Sequence, residues 1–484
     1  MEWVVLLLGR GVAAIGTSDN SVGFLGEVIY MPTTLSRLAR AGAHVSTLAL
    51  SIAFGLFAAQ PGHAEEVTLT VALAANPQMQ TAAKLIDNFY TKHPDIKVKF
   101  QTLPENQLRP TVLKDVATNS GQFDIVMIGA YEVPLWAEKG WITNLSQEYV
   151  VNDKEWNADD LIKPIRDLVS FNGDMYATPF YGSSSFIFYR KDLFEKAGLT
   201  MPEQPTWDQI AEFAAKLDDD STNTAGICLR GIPGWGQSLA PLTTVINTFG
   251  GRWFDENWEP QLSAPKTKEA INFYVNLLKE HGQPDAAKDG WQECLQLFTQ
   301  GKAAMWYDDT VFAGPVLDQA SPEVKDNVGF ALAPIKEKPG SGWLWAWGLA
   351  IPKTSKHQDA AWELISWLTS EEYIKLAGEK AGWGTVPPGS RKSTYMLPEY
   401  QKATSTYAEL TLKAISDADP LKPTVDPVPY TGVQYVTIPE FEQIGDFTSQ
   451  QLAGAISGQM SADEAIAASE EKIREIMTDA GYIK

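Results

Sequence analysis

Short apolar segments that read as β-strands recur along this 484-residue chain, each followed by residues at helical spacing. This alternation restricts the fold more than any other feature. Residues 67–73 alternate apolar and polar side chains as a strand does, and Ala82, Leu85, Ile86 and Phe89 follow at helical spacing until Pro94. The same reading predicts a strand over 96–100, a helix over 108–117 and a short apolar strand over 124–128, buried in a parallel sheet. Further on it predicts strands over 186–189, 303–306 and 328–332 and helices over 267–281 and 357–369. Thr206 and Gln209 form a capping box that opens one helix; Ser461 and Glu464 open the last, which Gly481 ends. The fold class is therefore α/β. No repeat, long linker or low-complexity tract divides the chain, so the expectation is two α/β lobes between which the chain crosses more than once.

Hydrophobic residues make up 44% of the chain, enough for a core of ordinary size. At about 150 residues per domain the length suggests two large domains or roughly three smaller ones. Acidic residues outnumber basic ones 60 to 39, a net charge of -21. That balance argues against nucleic acid and anionic membranes as partners, because phosphate binding needs a basic face.

Residues 45–59 form the longest uncharged run, preceded by Arg37 and Arg40 and followed by Gly62-His63-Ala64, with small residues at the -3 and -1 positions. This is the three-part pattern of a secretory signal peptide, too short for a membrane span of about 20 residues. Residues 1–64 are read as an N-terminal extension and signal peptide, cleaved after Ala64. A natural signal would begin at Met31. The expected location is the periplasm. Cys228 and Cys294 are the two cysteines. In an oxidising compartment they either bridge or stay as two buried thiols, and spacing alone does not decide between these.

Beyond the signal, His93, His281 and His357 lie far apart at predicted helix ends, which gives no metal or catalytic cluster. The chain has no G-x-S-x-G elbow, P-loop, G-x-G-x-x-G, H-E-x-x-H or C-x-x-C motif. No cofactor is implied. What it has is 16 tryptophans, several read as lying in glycine-bearing loops: Gly234-Trp235-Gly236-Gln237, Trp343-Leu-Trp345-Ala-Trp347-Gly348 and Gly382-Trp383-Gly384. A flat indole suits the C–H face of a sugar or polyol, and carboxylates and amides take its hydroxyls. Asp308 follows an apolar strand and is expected at a strand end, where α/β sheets place ligands. On that register Asp308 takes hydroxyls, Trp347 supplies the stacking face and Asp309 points to the other side.

These residues, in order, resemble the extracellular solute-binding proteins, family 1, of bacterial ABC transporters. The likeness rests on Phe123-Asp124-Ile-Val, on Tyr176-Ala-Thr-Pro-Phe180 before Tyr189-Arg-Lys-Asp192, on Pro205-Thr-Trp207-Asp, on Phe298-x-x-Gly301-Lys-Ala-Ala-Met305 and on Gly348-Leu-Ala-Ile-Pro352. Within the family, GSSSFIFYRKDLF and GWLWAWGLAIP look most like the sorbitol- and mannitol-binding members. The resemblance implies a two-lobe periplasmic binding protein fold of type II with a ligand cleft between lobes. Carried onto this chain, lobe 1 is 65–180 with 337–380, and lobe 2 is 181–336 with 381–484. The family's binding loops then fall at Asn76 and Gln78, at Tyr131, at Ser183, at Trp235 and Gln237, at Trp306 and Asp308, at Trp345 and Trp347, and at Trp383 and Arg391. Asn76 and Tyr131 stand where maltose-type members carry charge, which favours a small neutral polyol or sugar. Partners implied are the permease subunits of the inner membrane, with the protein itself a monomer.

Two other readings remain at this point. A secreted carbohydrate-active enzyme would need two carboxylates about 5 to 9 Å apart across one site, which Asp308-Asp309 alone does not supply. A receptor for an amino acid or peptide would need an arginine clamp, for which Arg391 is the candidate.

Overall fold

A computed structural model describes residues 66–340 and 342–484. The signal-peptide segment, its cleavage point and Glu65 lie outside the described residues.

Two sheets organise the chain. The first contains β1 (Val67–Ala74), β2 (Ile96–Leu103) and β3 (Ile125–Gly129). A two-residue hairpin of β4 (Ser170–Phe171) and β5 (Asp174–Met175) precedes β6 (Thr178–Ser183). The second sheet is built from β7 (Ser185–Arg190), β8 (Met305–Asp309) and β9 (Val328–Leu332), and β10 (Trp345–Ala350) returns to the first. The strand orders are β2-β1-β3-β10-β6 and β8-β7-β9. β1 runs parallel to β2 and β3, whereas β10 is antiparallel to both β3 and β6. The three-stranded sheet is antiparallel throughout. Only Ser184 separates β6 from β7, so the chain passes from one sheet to the other almost without leaving extended structure. It passes back between Leu332 and Trp345.

The local signals that predicted elements act as expected. Thr206 and Gln209 cap Trp207–Leu217 reciprocally, and Ser461 and Glu464 do the same for Ala462–Asp479. Gly282 ends Pro265–His281. The first helix is Pro77–Leu85, and Asp87–Lys92 continues after a break at Ile86. Asp124 buttresses its strand: it accepts the Thr70 N–H at 2.9 Å and the Ser355 hydroxyl at 2.8 Å.

Three expectations are corrected. The Trp343–Gly348 stretch, read as a loop, contributes β10, which is buried along its whole length in the interior of the first sheet. A strand covered on both faces shows no alternation, and its glycine and tryptophans mimic a loop. The strand predicted over 303–306 instead spans Met305–Asp309, which places both aspartates inside it rather than after it. β3 also has a parallel neighbour on one side only.

The cysteines form a disulfide, with their Cα atoms 5.6 Å apart across a sequence separation of 66. Cys228 bridges to Trp306 of β8, and Cys294 sits on the helix Trp291–Thr299, so the bond ties that helix to the second sheet. Loop-closure entropy makes such a crosslink worth about 4 kcal/mol. Replacing both cysteines by alanine is expected to lower the unfolding free energy by about 2 to 4 kcal/mol in urea titrations. An unchanged midpoint would show that the bond constrains nothing the fold does not already hold.

Candidate binding cavity

The strand ends converge on one cavity. Ala74 of β1 leads into Ala75 and Asn76; Tyr181 comes from β6, Trp345 and Trp347 from β10, and Asp309 from β8. Trp345 and Trp347 are two apart on one strand and therefore share a face, and Tyr181 pairs directly with Trp347 across it. Arg230, Trp235, Trp291, Phe312 and Trp343 also line the cavity. The cavity volume is ≈ 70 Å³. A single water needs about 10–15 Å³ on that measure.

Two guanidiniums flank the space, each held by carboxylates. Arg109 lies on the helix Glu105–Thr118 that follows β2. Its Nη2 is 2.8 Å from Glu105 Oε1, and its Nη1 pairs with Glu132 just past β3. Glu132 is fixed in turn by the Gly129 N–H at 2.9 Å. Gly129 is required here by close approach, since a Cβ would stand 2.1 Å from the Trp345 ring. The Arg109 guanidinium carbon lies 4.2 Å from the ring centre of Trp235, 4.7 Å from that of Trp347 and 5.4 Å from that of Trp345. Burial alone would lower its pKa; Glu132 and Glu105 outweigh burial and hold it above the ordinary arginine value.

Arg230 is paired with Asp308 in a two-point contact, with Nε to Oδ2 at 2.8 Å, and donates to the Gly236 carbonyl at 2.9 Å. It lies 5.3 Å from the ring centre of Trp343. Burial opposes its charge and Asp308 restores it, so its pKa is also raised. Asp308 is fully buried and accepts the Trp306 indole N–H at 3.1 Å and the Asp309 N–H at 2.7 Å.

The predicted site residues divide sharply. Asn76, Trp235, Trp345 and Trp347 line the cavity. Asn76 also caps the helix Pro77–Leu85 through the Met79 N–H and donates to the Tyr181 hydroxyl at 3.3 Å. Ser183, Trp306 and Asp308 are buried behind the wall; Ser183 donates to Asp309 at 2.9 Å. Tyr131 backs Trp235, ring centres 4.7 Å apart, and donates to the Ile438 carbonyl. Gln78 and Gln237 are buried outside the lining.

Trp383 and Arg391 stand apart from the cavity. Trp383 covers Gly378. Arg391 is wholly buried, donating to the carbonyls of Thr369 and Trp156, each at 2.7 Å, and pairing with Asp160 at 3.2 Å. It has no reach to a ligand carboxylate, which removes the arginine clamp that an amino-acid receptor would need. The assignment of Asp308 as the exposed acceptor and Asp309 as its outward neighbour is reversed: Asp309 lines the cavity and Asp308 carries Arg230. The two are neighbours within β8 and face opposite sides of it, so a one-residue error in register exchanges their roles.

Sequence reading missed Glu105, Arg109, Arg230, Trp291 and Gln434. The Glu105/Arg109 pair had a signal, an i, i+4 acid–base spacing directly after a predicted strand end. Arg230 had none, because its partner is 78 residues away.

Burial pushes the Asp309 carboxyl up to about 7; Asp308 adds to the rise, and the Val311 N–H, the Ser183 hydroxyl and Arg230 oppose it. In the folded protein Asp309 thus keeps a proton that the unfolded chain releases near its ordinary value of 3.8. Its contribution to stability falls as pH rises from there to about 7 and is flat above. The stability difference between wild type and Asp309→Asn is expected to follow that profile. Asp308→Asn, by contrast, strands Arg230 and is expected to cost about 3 to 5 kcal/mol. Urea titrations across pH check both; equal costs for the two variants would contradict the division of roles.

A two-lobe α/β fold with a polar, indole-walled cavity at its strand ends defines a periplasmic binding protein fold of type II. The family described as bacterial extracellular solute-binding protein matches residues 74–375, and the chain belongs to it. With that family it is a binder and not a catalyst, which sets aside the enzyme reading. Among its relatives, the mannitol-binding protein of Pseudomonas aeruginosa is 45% identical over 419 residues, 86% of this chain and 94% of that one. An ABC transporter solute-binding protein from Agrobacterium vitis S4, solved with bound D-mannitol, superposes with a TM-score of 0.83 at 48% identity. The match covers 86% of this chain and all (100%) of that one. One from Agrobacterium radiobacter K84, in complex with ribitol, gives 0.76 at 24% identity, covering 85% and 99%, and shows the shared fold.

Proposed function

We propose that this protein is the substrate-binding component of an ABC importer for an acyclic sugar alcohol, with D-mannitol the first candidate. The observation that carries the reading is the cavity itself, five indoles around two neutralised guanidiniums, in a chain 45% identical to a mannitol-binding protein. Indole faces match the C–H edges of a polyol, and the guanidinium N–H groups match its oxygens.

The charge of the site supports a neutral ligand. Arg109 and Arg230 face Glu105, Glu132 and Asp308, with Asp309 beside them. No positive charge is left over for a carboxylate or phosphate on the ligand. Lobe 1 is proposed to be 65–180 with 337–380 and lobe 2 to be 181–336 with 381–484. The direct passage from β6 to β7 at Ser184 and the return between Leu332 and Trp345 support two lobes, with Tyr181–Ser183 still in β6 of the first sheet. The protein is proposed to be exported by a signal peptide ending at Ala64, to act as a monomer in the periplasm, to hand its ligand to membrane permease subunits and to leave nucleic acid unbound.

Thermal unfolding in the presence of candidate ligands tests the reading. Mannitol, sorbitol or arabitol at a hundred times its dissociation constant adds about 2.7 kcal/mol to the native state. A clear rise in melting temperature is expected with at least one alditol, together with a change in tryptophan fluorescence. Gluconate and mannitol 1-phosphate are expected to leave both unchanged. Stabilisation by the acids and not by the alditols would overturn the proposal.

A further inference from the structure

If the ligand is a polyol, hydroxyl acceptors are the scarce commodity in this cavity. Each hydroxyl of a polyol is a donor that needs an acceptor. Donors are plentiful. Arg230 commits two of its N–H groups to Asp308 and one to Gly236, and Arg109 is committed to Glu105 and Glu132, so each guanidinium keeps N–H groups in reserve. Tyr181 accepts from Asn76 and retains its own proton. The acceptors are mostly taken. Asp308 holds Arg230, the Trp306 indole and a backbone N–H; Gln434 is closed on both backbone groups of Leu344.

Two carboxylates are the exceptions: Glu105, which takes Arg109 on Oε1 and keeps Oε2 open, and Asp309. Its Oδ2 receives the Ser183 hydroxyl at 2.9 Å and its Oδ1 the Val311 N–H at 2.8 Å, which leaves a lone-pair site on each oxygen. It lines the cavity and makes no ion pair among the described residues. Its surroundings are Asp308 on its own strand, Ser185 across β7, Ser183 and Tyr181 from β6, and Arg230, whose charge Asp308 already balances. Glu105 and Arg109 face the same cavity as a pair.

We propose that Asp309 is a hydroxyl acceptor of the cavity and engages a polyol as the carboxylate, so that capture near neutral pH drives a proton off the protein. A proton on either oxygen takes one of the two open lone-pair sites, so two neighbouring ligand hydroxyls find both acceptors only in the carboxylate. Without ligand, burial pushes the group up to about 7, so the site is partly protonated at neutral pH. A ligand that requires the carboxylate binds more tightly as pH rises, by about tenfold per unit well below that value, and levels off above it.

Calorimetric titration of the wild-type protein with D-mannitol, in phosphate and in Tris at pH 6, 7 and 8, tests the inference. Buffer-dependent heats are expected to report release of nearly one proton at pH 6, about half of one at pH 7 and little at pH 8. Asp309→Asn is expected to bind more weakly and to abolish the buffer dependence. The wild-type comparison stands alone should that variant not fold. Binding with buffer-independent heats, proton uptake instead of release, or exchange that survives in Asp309→Asn would each overturn this role while leaving the polyol reading intact. No mannitol binding at any pH would overturn both.

Discussion

Two buried arginines dictate the arrangement of this protein's centre. A guanidinium withdrawn from water is tolerable only when paired and hydrogen-bonded. Arg109 therefore draws Glu105 from its own helix and Glu132 from the segment after β3, and Arg230 draws Asp308 from β8. The Arg109–Glu132 and Arg230–Asp308 pairs each join different elements and so fix a distance that the backbone alone leaves free. The indoles complete the enclosure: Trp235, Trp345 and Trp347 surround Arg109, and Trp343 lies beside Arg230. The result is a set of N–H donors held in place before any ligand arrives, in a cavity where water competes little.

That constraint explains which features were legible in the sequence. Helix starts, ends and amphipathic strands are written in neighbouring residues. The capping boxes at Thr206 and Ser461 and the alternation of β1 were therefore readable one segment at a time. β10 was not, because a strand buried on both faces carries no period and Trp-Ala-Trp-Gly resembles a loop. β6 was hidden for a similar reason, with Pro179 inside it, tolerated because β6 is an edge strand. The family resemblance located the strand ends and so found Asn76, Trp235, Trp345 and Trp347. It did not find the charges behind them, since Arg230 and Asp308 recognise each other only in three dimensions.

The exchange of Asp308 and Asp309 shows how narrow the margin is. Side chains alternate along a strand, so a one-residue error in the register of β8 swaps which aspartate meets the cavity. The swap is not neutral in energy. Asp308 sits against a guanidinium, and Asp309 sits among neutral donors. Two identical residues thus acquire opposite duties, one holding the frame and one left free to meet a ligand, and only the register of β8 against β7 tells them apart.

The position of Asp309 also joins recognition to the chain's path. Ser185 of β7 pairs with Asp309, and Ser183 of β6 donates to it, so the residues on either side of the crossing between sheets both hold this carboxyl. A ligand that binds Asp309 acts on the place where the two sheets are joined. Farther out, Arg109 lies over Trp235 and Tyr131 donates to the carbonyl of Ile438, contacts between residues beside the first sheet and residues distant from it in sequence. Each such contact is made by an aromatic ring or a neutralised charge and not by a bare ion pair. Parting these surfaces therefore separates faces that are already charge-balanced and costs less than parting opposite charges in a dry interior. A binding protein needs this division: strong pairs within each wall of the cavity, and weaker, reversible contacts between the walls.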